Sequence, residues 1–224
     1  MNFDPIILPQ FNPVFLEIGF LQIRYYSLAY IAGILIGYFY VKKRLASDVA
    51  NATIASTTIP SAVFDNIVTY AILGIILGGR LFYVCFYNFP YYLANPMEIP
   101  AIWLGGMSFH GGLFGLASAI FLLCRRFKIS FLYIMDVIAV IAPIGIFFGR
   151  IANFINGELY GKITDVPWAV KYQTEAFARH PSQIYEALLE GLLLFAILWF
   201  SSKKQFFKKN IGALSGMFLI GYFL

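Results

Sequence analysis

Apolar residues along this chain come in long unbroken runs, separated by short polar stretches that carry glycine or proline. Five runs lie at about Tyr26–Val41, Ala62–Phe86, Gly106–Cys124, Phe131–Phe148 and Ile184–Phe200, and a sixth runs from near Ile211 to Leu224. A helix needs about 20 residues to cross roughly 30 Å of hydrocarbon, so the first five predict spanning helices. The sixth, with 14 residues, predicts a span that is cut short. Ahead of the first run, Pro5, Pro9 and Pro13 break a Phe-rich stretch through Phe15–Ile23, which predicts a segment lying along the interface. With Asp4 and Glu17 and no basic leader, this start does not read as a cleavable signal peptide. The fold class is all-α: a polytopic membrane helical bundle in a single domain, 1–224, with a polar loop over about 149–181.

Composition strengthens the membrane reading. Hydrophobic residues make up 60% of the chain and charged ones only 12%, too few to solvate a globular surface. The net charge of +5 is not a nucleic-acid footprint, because the cations are placed by topology. Lys42-Lys43-Arg44, Arg125-Arg126 with Lys128, and Lys203-Lys204 with Lys208-Lys209 hold 10 of the 16 Lys and Arg. With alternating crossings these clusters share one side, which the positive-inside rule makes cytoplasmic, and the N-terminus falls outside.

That orientation gathers the polar chemistry on the outer face. There lie the segment Gly149-Arg150-Ile151-Ala152-Asn153-Phe154-Ile155-Asn156-Gly157-Glu158-Leu159-Tyr160-Gly161 and both histidines, His110 and His180. The segment offers a cation, two amides, a carboxyl and three glycines within 13 residues at a membrane boundary, where hydrocarbon supplies no partners. If the fourth helix continues, Arg150, Asn153 and Asn156 share one face. A guanidinium flanked by amides suits a phosphate, and the alternative is an arginine snorkelling to lipid head groups.

His110, set among Gly105, Gly106, Gly111, Gly112 and Gly115, reads either as a proton acceptor or as a packing histidine. Gln183, Glu186 and Glu190 form one helical stripe, with pairing to Arg80 or Arg179 as the structural reading. Arg80 itself either snorkels outward or meets one of those glutamates. Cys85 and Cys124 fall at opposite ends of their spans, too far apart for a disulfide, and neither the cysteines nor the histidines have metal-ligand spacing. A transporter would place its site near the midplane between repeated halves, and no convincing repeat is present.

The Gly149–Gly161 segment, His110-Gly111-Gly112, Arg179-His180-Pro181-Ser182-Gln183-Ile184-Tyr185-Glu186 and Ile23-Arg24-Tyr25-Tyr26 together resemble the prolipoprotein diacylglyceryl transferase family. The resemblance implies transfer of the diacylglyceryl group of phosphatidylglycerol to the lipobox cysteine thiol in the signal peptide of a prolipoprotein. It implies a seven-span bundle in the bacterial inner membrane, a site toward the outer face, membrane lipid as the medium, and no metal or organic cofactor. It also assigns roles. Arg150 contacts the phosphate and His110 helps deprotonate the thiol, while Tyr26, Asn153, Asn156, Glu158 and Gly161 match active-site positions. Arg150, His110 and Tyr26 are thereby the expected catalytic residues.

One departure accompanies the resemblance. The family carries a second arginine and a seventh span beyond the sixth apolar stretch, and this sequence stops at Tyr222-Phe223-Leu224. The expectation for a form ending there is impaired transfer, with a membrane scaffold as the rival reading and a transporter as a more distant one.

Overall fold

The computed structural model describes residues 5–9, 11–12, 14–18, 21–50, 61–173 and 175–223. Asp4, Pro13 and Leu224, on which parts of the sequence reading rest, lie outside them. The chain forms two compact units, Met1–Phe39 with Ile138–Leu224, and the continuous Tyr40–Val137.

The structure is mostly helical, and the proline-broken start is strand. β1 (Ile6–Ile7) precedes an antiparallel hairpin of β2 (Val14–Ile18) and β3 (Leu21–Arg24), in which Leu16 pairs with Ile23 and Ile18 with Leu21. α1 (Tyr25–Ala50) follows directly, longer than the apolar run that predicts it because Lys42-Lys43-Arg44 continue the helix. Later in the first unit, β4 (Val170–Lys171) pairs in parallel with β1, Ile6 opposite Val170.

In the continuous unit, α2 (Ser61–Phe82) runs into a π-helical turn at Tyr83–Tyr87. The short α3 (Phe89–Ala94) and two 3₁₀ turns at Pro96–Glu98 and Ile102–Leu104 lead to α4 (Phe109–Phe127). α4 starts later than the apolar run predicts. Gly105 and Gly106 take φ of 83° and 80°, a left-handed turn, and Ser108 caps the helix by accepting from the Gly111 amide at 3.2 Å. α2 packs on α4 through glycines: a Cβ on Gly115 would lie 2.0 Å from the Gly74 carbonyl, and one on Gly78 would lie 2.3 Å from that of Gly111. Small residues are what let two helical backbones approach this closely.

In the other unit, α5 (Phe131–Asn156) begins in the continuous stretch and carries its apolar run past Phe148 through Arg150 to Asn156. It ends where Gly157 takes φ 66°, with the Glu158 amide bonding to Asn153 O at 2.9 Å and the Gly157 amide to Phe154 O at 3.1 Å. That pair of bonds satisfies the last carbonyls of the helix in a Schellman turn. α6 (Ser182–Glu186), a π-helical segment at Ala187–Leu193 and α7 (Leu194–Ser202) form one rod. α8 (Gln205–Lys209) and α9 (Ala213–Phe223) complete the chain. Gly191 admits α5 to the rod, since a Cβ there would lie 2.7 Å from that of Phe147.

Among the described residues, three helices are long and apolar enough to cross a membrane: Asn66–Tyr87, Phe131–Asn156 and Ser182–Ser202. Ala213–Phe223 is a shorter apolar helix.

Candidate functional site

The polar end of α5 organises a site within the discontinuous unit. Tyr26, in the first turn of α1, donates its hydroxyl to Glu158 Oε2 at 2.7 Å and accepts from Asn153 Nδ2. Asn153 is buried while Glu158 is exposed, so the phenol links an interior amide to a carboxylate at the surface. Tyr26, Asn153 and Glu158 are thus brought together from positions far apart in the chain. A phenol that gives one hydrogen bond to a carboxylate and takes one from an amide has a fixed orientation.

Arg150 lies one turn before Asn153 and faces a different set of partners. Its Nη1 sits 2.8 Å from Glu186 Oε2 and its Nη2 3.5 Å from Glu190 Oε2. The closer contact is ionic rather than directed, since Glu186 Oε2 is buried without an aligned hydrogen bond. The Tyr222 hydroxyl of α9 reaches the same guanidinium. The stripe of Glu186 and Glu190 therefore serves Arg150, and not Arg80 or Arg179 as the sequence pattern anticipates. The rod is π-helical over Ala187–Leu193, so Glu190 sits within a widened turn. Tyr222 is a site neighbour that the sequence reading missed, because its position in a uniformly apolar run carries no local signal.

Asn156 ends α5 with its Oδ1 buried and, among the described residues, without a hydrogen-bond partner. It lines a cavity of about 220 Å³ together with Leu8, Phe11, Phe154, Glu158 and Tyr172.

The loop after α5 is a miniature sheet. Gly161 donates its amide to His180 O at 2.9 Å, His180 donates to Lys162 O at 3.0 Å, and Thr164 donates to Ala178 O at 3.0 Å. Gly161 allows this close approach, because a Cβ would meet both Cβ and O of His180 at 3.0 Å. Arg179 bonds Glu175 Oε2 through Nε at 2.7 Å and lies 4.8 Å over the Tyr160 ring. Tyr160 donates to the other Glu175 oxygen. These two donors hold the Glu175 carboxyl below its ordinary range, the Tyr160 hydroxyl contributing most, and the same bond raises Tyr160. Tyr160 stacks on Tyr172 at 5.0 Å, and burial raises the Tyr172 phenol.

In the continuous unit, His110 is exposed on the first turn of α4, its ring edge-on to Phe109 at 5.8 Å. Arg80 does not snorkel, and among the described residues it meets no carboxylate. It is 3% exposed, and its guanidinium is taken by the carbonyls of Glu98, Ile99, Gly105 and Gly106, with the Tyr92 ring 5.1 Å from Cζ. A buried cation is tolerable when it is richly hydrogen-bonded, and here four bonds to carbonyls tie down the turn ahead of α4. Cys85 and Cys124 are both free thiols. Among the described residues no cluster of three or more His, Cys, Asp and Glu is arranged for a metal.

A sequence model of the prolipoprotein diacylglyceryl transferase family matches residues 13–224. The chain belongs to this family. It is 48% identical over 216 residues to the phosphatidylglycerol–prolipoprotein diacylglyceryl transferase of Rhodospirillum rubrum, covering 96% of this chain and 77% of that one. The protein of the same name from Rickettsia felis is 46% identical over 217 residues, covering 96% and 81%. That of Nitrosomonas europaea is 46% identical over 227 residues, covering 97% and 75%. As a member of a transferase family with helices able to cross a membrane, this is a membrane enzyme of lipoprotein biosynthesis.

Proposed function

We propose that this protein transfers the diacylglyceryl group of phosphatidylglycerol to the lipobox cysteine thiol of a prolipoprotein signal peptide, the first step of bacterial lipoprotein maturation. The family match across residues 13–224 carries this reading. In the reaction, the thiol sulfur attacks the diacylglyceryl carbon bonded to phosphate oxygen. A C–S bond forms, the C–O bond breaks with its electrons going to oxygen, glycerol phosphate leaves, and the thiol proton passes to a base.

Arg150 is the leaving-group clamp in this reading. Negative charge grows on the departing phosphate, and a fixed guanidinium in a water-poor site stabilises it. The 3.5 Å contact to Glu190 is the looser of its two ion pairs and the one a phosphate displaces. Tyr26, Asn153 and Glu158 form the polar wall that receives the head group, with Asn156 at the adjacent cavity and Gly161 holding the loop closed on His180. His110 is assigned the thiol proton on its chemistry, since a thiol with a pKa of about 8.5 needs a nearby base at neutral pH.

The whole chain, 1–224, acts here as one integral transferase domain with its active-site loop at about 149–181. Six apolar segments thread the inner membrane with the N-terminus and that loop outside, a topology supported by the three cationic clusters. No metal or organic cofactor enters the chemistry.

The test is direct. Purified protein in phosphatidylglycerol vesicles is given a lipobox peptide, and label in the diacylglyceryl moiety is followed to the peptide. Covalent transfer to the cysteine peptide but not to its Cys→Ser counterpart supports the reading. Absence of transfer refutes it in favour of a scaffold.

A further inference from the structure

Gln183 is fully buried, 0% exposed, at the first turn of α6, and both ends of its amide are used. Its Oε1 accepts from the Tyr172 hydroxyl at 3.1 Å, and its Nε2 donates to the main-chain carbonyl of Glu158 at 2.7 Å. The neighbouring Ser182 hydroxyl donates to the carbonyl of Leu159 at 3.1 Å. These bonds converge on a turn the backbone would not adopt unaided. Gly157 has φ 66°, and Leu159, a residue with a Cβ, has φ 54°. On the other side the turn is held by the Glu158 amide on Asn153 O at 2.9 Å. Its outward product is the Glu158 carboxylate delivered to Tyr26.

We propose that Gln183 is a positioning residue of the transfer reaction, acting through Glu158. The inference rests on the reading of Glu158 as part of the substrate-binding wall. Here the Glu158 carbonyl, which can only accept, settles which way the amide points: Nε2 faces that carbonyl and Oε1 is left to take the Tyr172 hydroxyl. Reversing the amide would set oxygen against oxygen, and removing it would take away the donor that holds the Glu158 carbonyl on a strained turn.

A double-mutant cycle tests the inference, with transfer to the lipobox peptide and thermal unfolding in detergent as readouts. Gln183→Leu in the native background is expected to lower kcat about tenfold or more, because the turn shifts once the Glu158 carbonyl loses its donor. In a Glu158→Ala background the same substitution is expected to change the rate by less than about twofold, since the group it positions is gone. Tyr172→Phe, which keeps the ring on Tyr160 and removes only the hydroxyl, is expected to give a smaller loss that also vanishes in Glu158→Ala. An equal fold-loss in both backgrounds, or no loss in the native one, overturns the inference. Full transfer by Glu158→Ala alone overturns the reading of Glu158 and this inference with it. If Gln183→Leu does not fold, Tyr172→Phe decides by the same criteria.

Discussion

Arg150 faces two carboxyl groups, Glu186 at 2.8 Å and Glu190 at 3.5 Å. A phosphodiester gains the guanidinium only by loosening one of those pairs, and the planar fork of arginine suits a group that must hold a carboxylate and a phosphate together. Arg150→Ala is expected to reduce transfer by about 10²- to 10³-fold. Arg150→Lys is expected to recover less than about a tenth of the native rate, because a point charge serves one partner at a time. Steady-state transfer to the lipobox peptide checks both, and native-like turnover by either variant removes the clamp from the mechanism. At this scale the sequence is informative for the residues whose signal is local. Arg150, Asn153 and Glu158 stand out as polar groups beside an apolar run. Their pairings do not: Tyr26 is named only through the resemblance, Glu190 is read as a partner for Arg80 or Arg179, and Tyr222 is missed, because all three reach these groups only through the fold. Arg80 shows the opposite failure: a cation near carboxylates in the pattern finds its partners among backbone carbonyls, which no residue type announces.

The contact of α2 with α4 depends on the absence of side chains. A methyl at position 115 would lie 2.0 Å from the Gly74 carbonyl, and neither backbone has room to yield without separating the helices. Gly115→Ala is expected to destabilise the protein by about 1–3 kcal/mol, seen as a lowered unfolding temperature in detergent, as overpacking does in other well-filled interiors. Gly145→Ala, where a Cβ meets nothing within 4 Å, is the matched control. The loop after α5 behaves differently, because it is held by titratable groups. Glu175 is stabilised as the carboxylate by Tyr160 and Arg179, so its folded pKa lies below the unfolded one. Its contribution is therefore complete above the unfolded value, about 4.3, and is lost as pH falls through the lowered folded value. Hydrogen exchange of the amides of Thr164 and His180 is expected to speed up on acidification across that window once intrinsic rates are divided out. Glu175→Gln is expected to flatten the change. The long helices of this molecule were legible in the apolar runs, to within a few residues at α4, but the short α3 and α8 and the π-helical turns at Tyr83–Tyr87 and Ala187–Leu193 were not. A one-residue widening of a helix leaves the hydrophobic pattern intact. The β2–β3 hairpin was likewise hidden, since an apolar stretch rich in Phe fits an interface segment as well as a strand.

For the whole molecule, the positive clusters predict an orientation that can be checked without activity. In a variant lacking Cys85 and Cys124, a single cysteine in place of Lys162 is expected to react with an impermeant maleimide in intact cells, and one in place of Lys204 only after permeabilisation. The reverse pattern would invert the topology. The division into two units was not legible in the sequence, because no linker or change of composition marks Phe39 or Ile138. One consequence of that division concerns time rather than space. The unit bearing Arg150 is assembled from both ends of the chain, and β1 at Ile6 has its partner at Val170. At about 5–20 residues per second, a ribosome makes β4 roughly 10–30 s after β1. The continuous stretch Tyr40–Val137 has all its residues in hand well before then. The first strand must wait, unpaired, while the intervening helices are made, so the cluster of Tyr26, Asn153 and Glu158 closes only after the whole of Tyr40–Val137 has been synthesised.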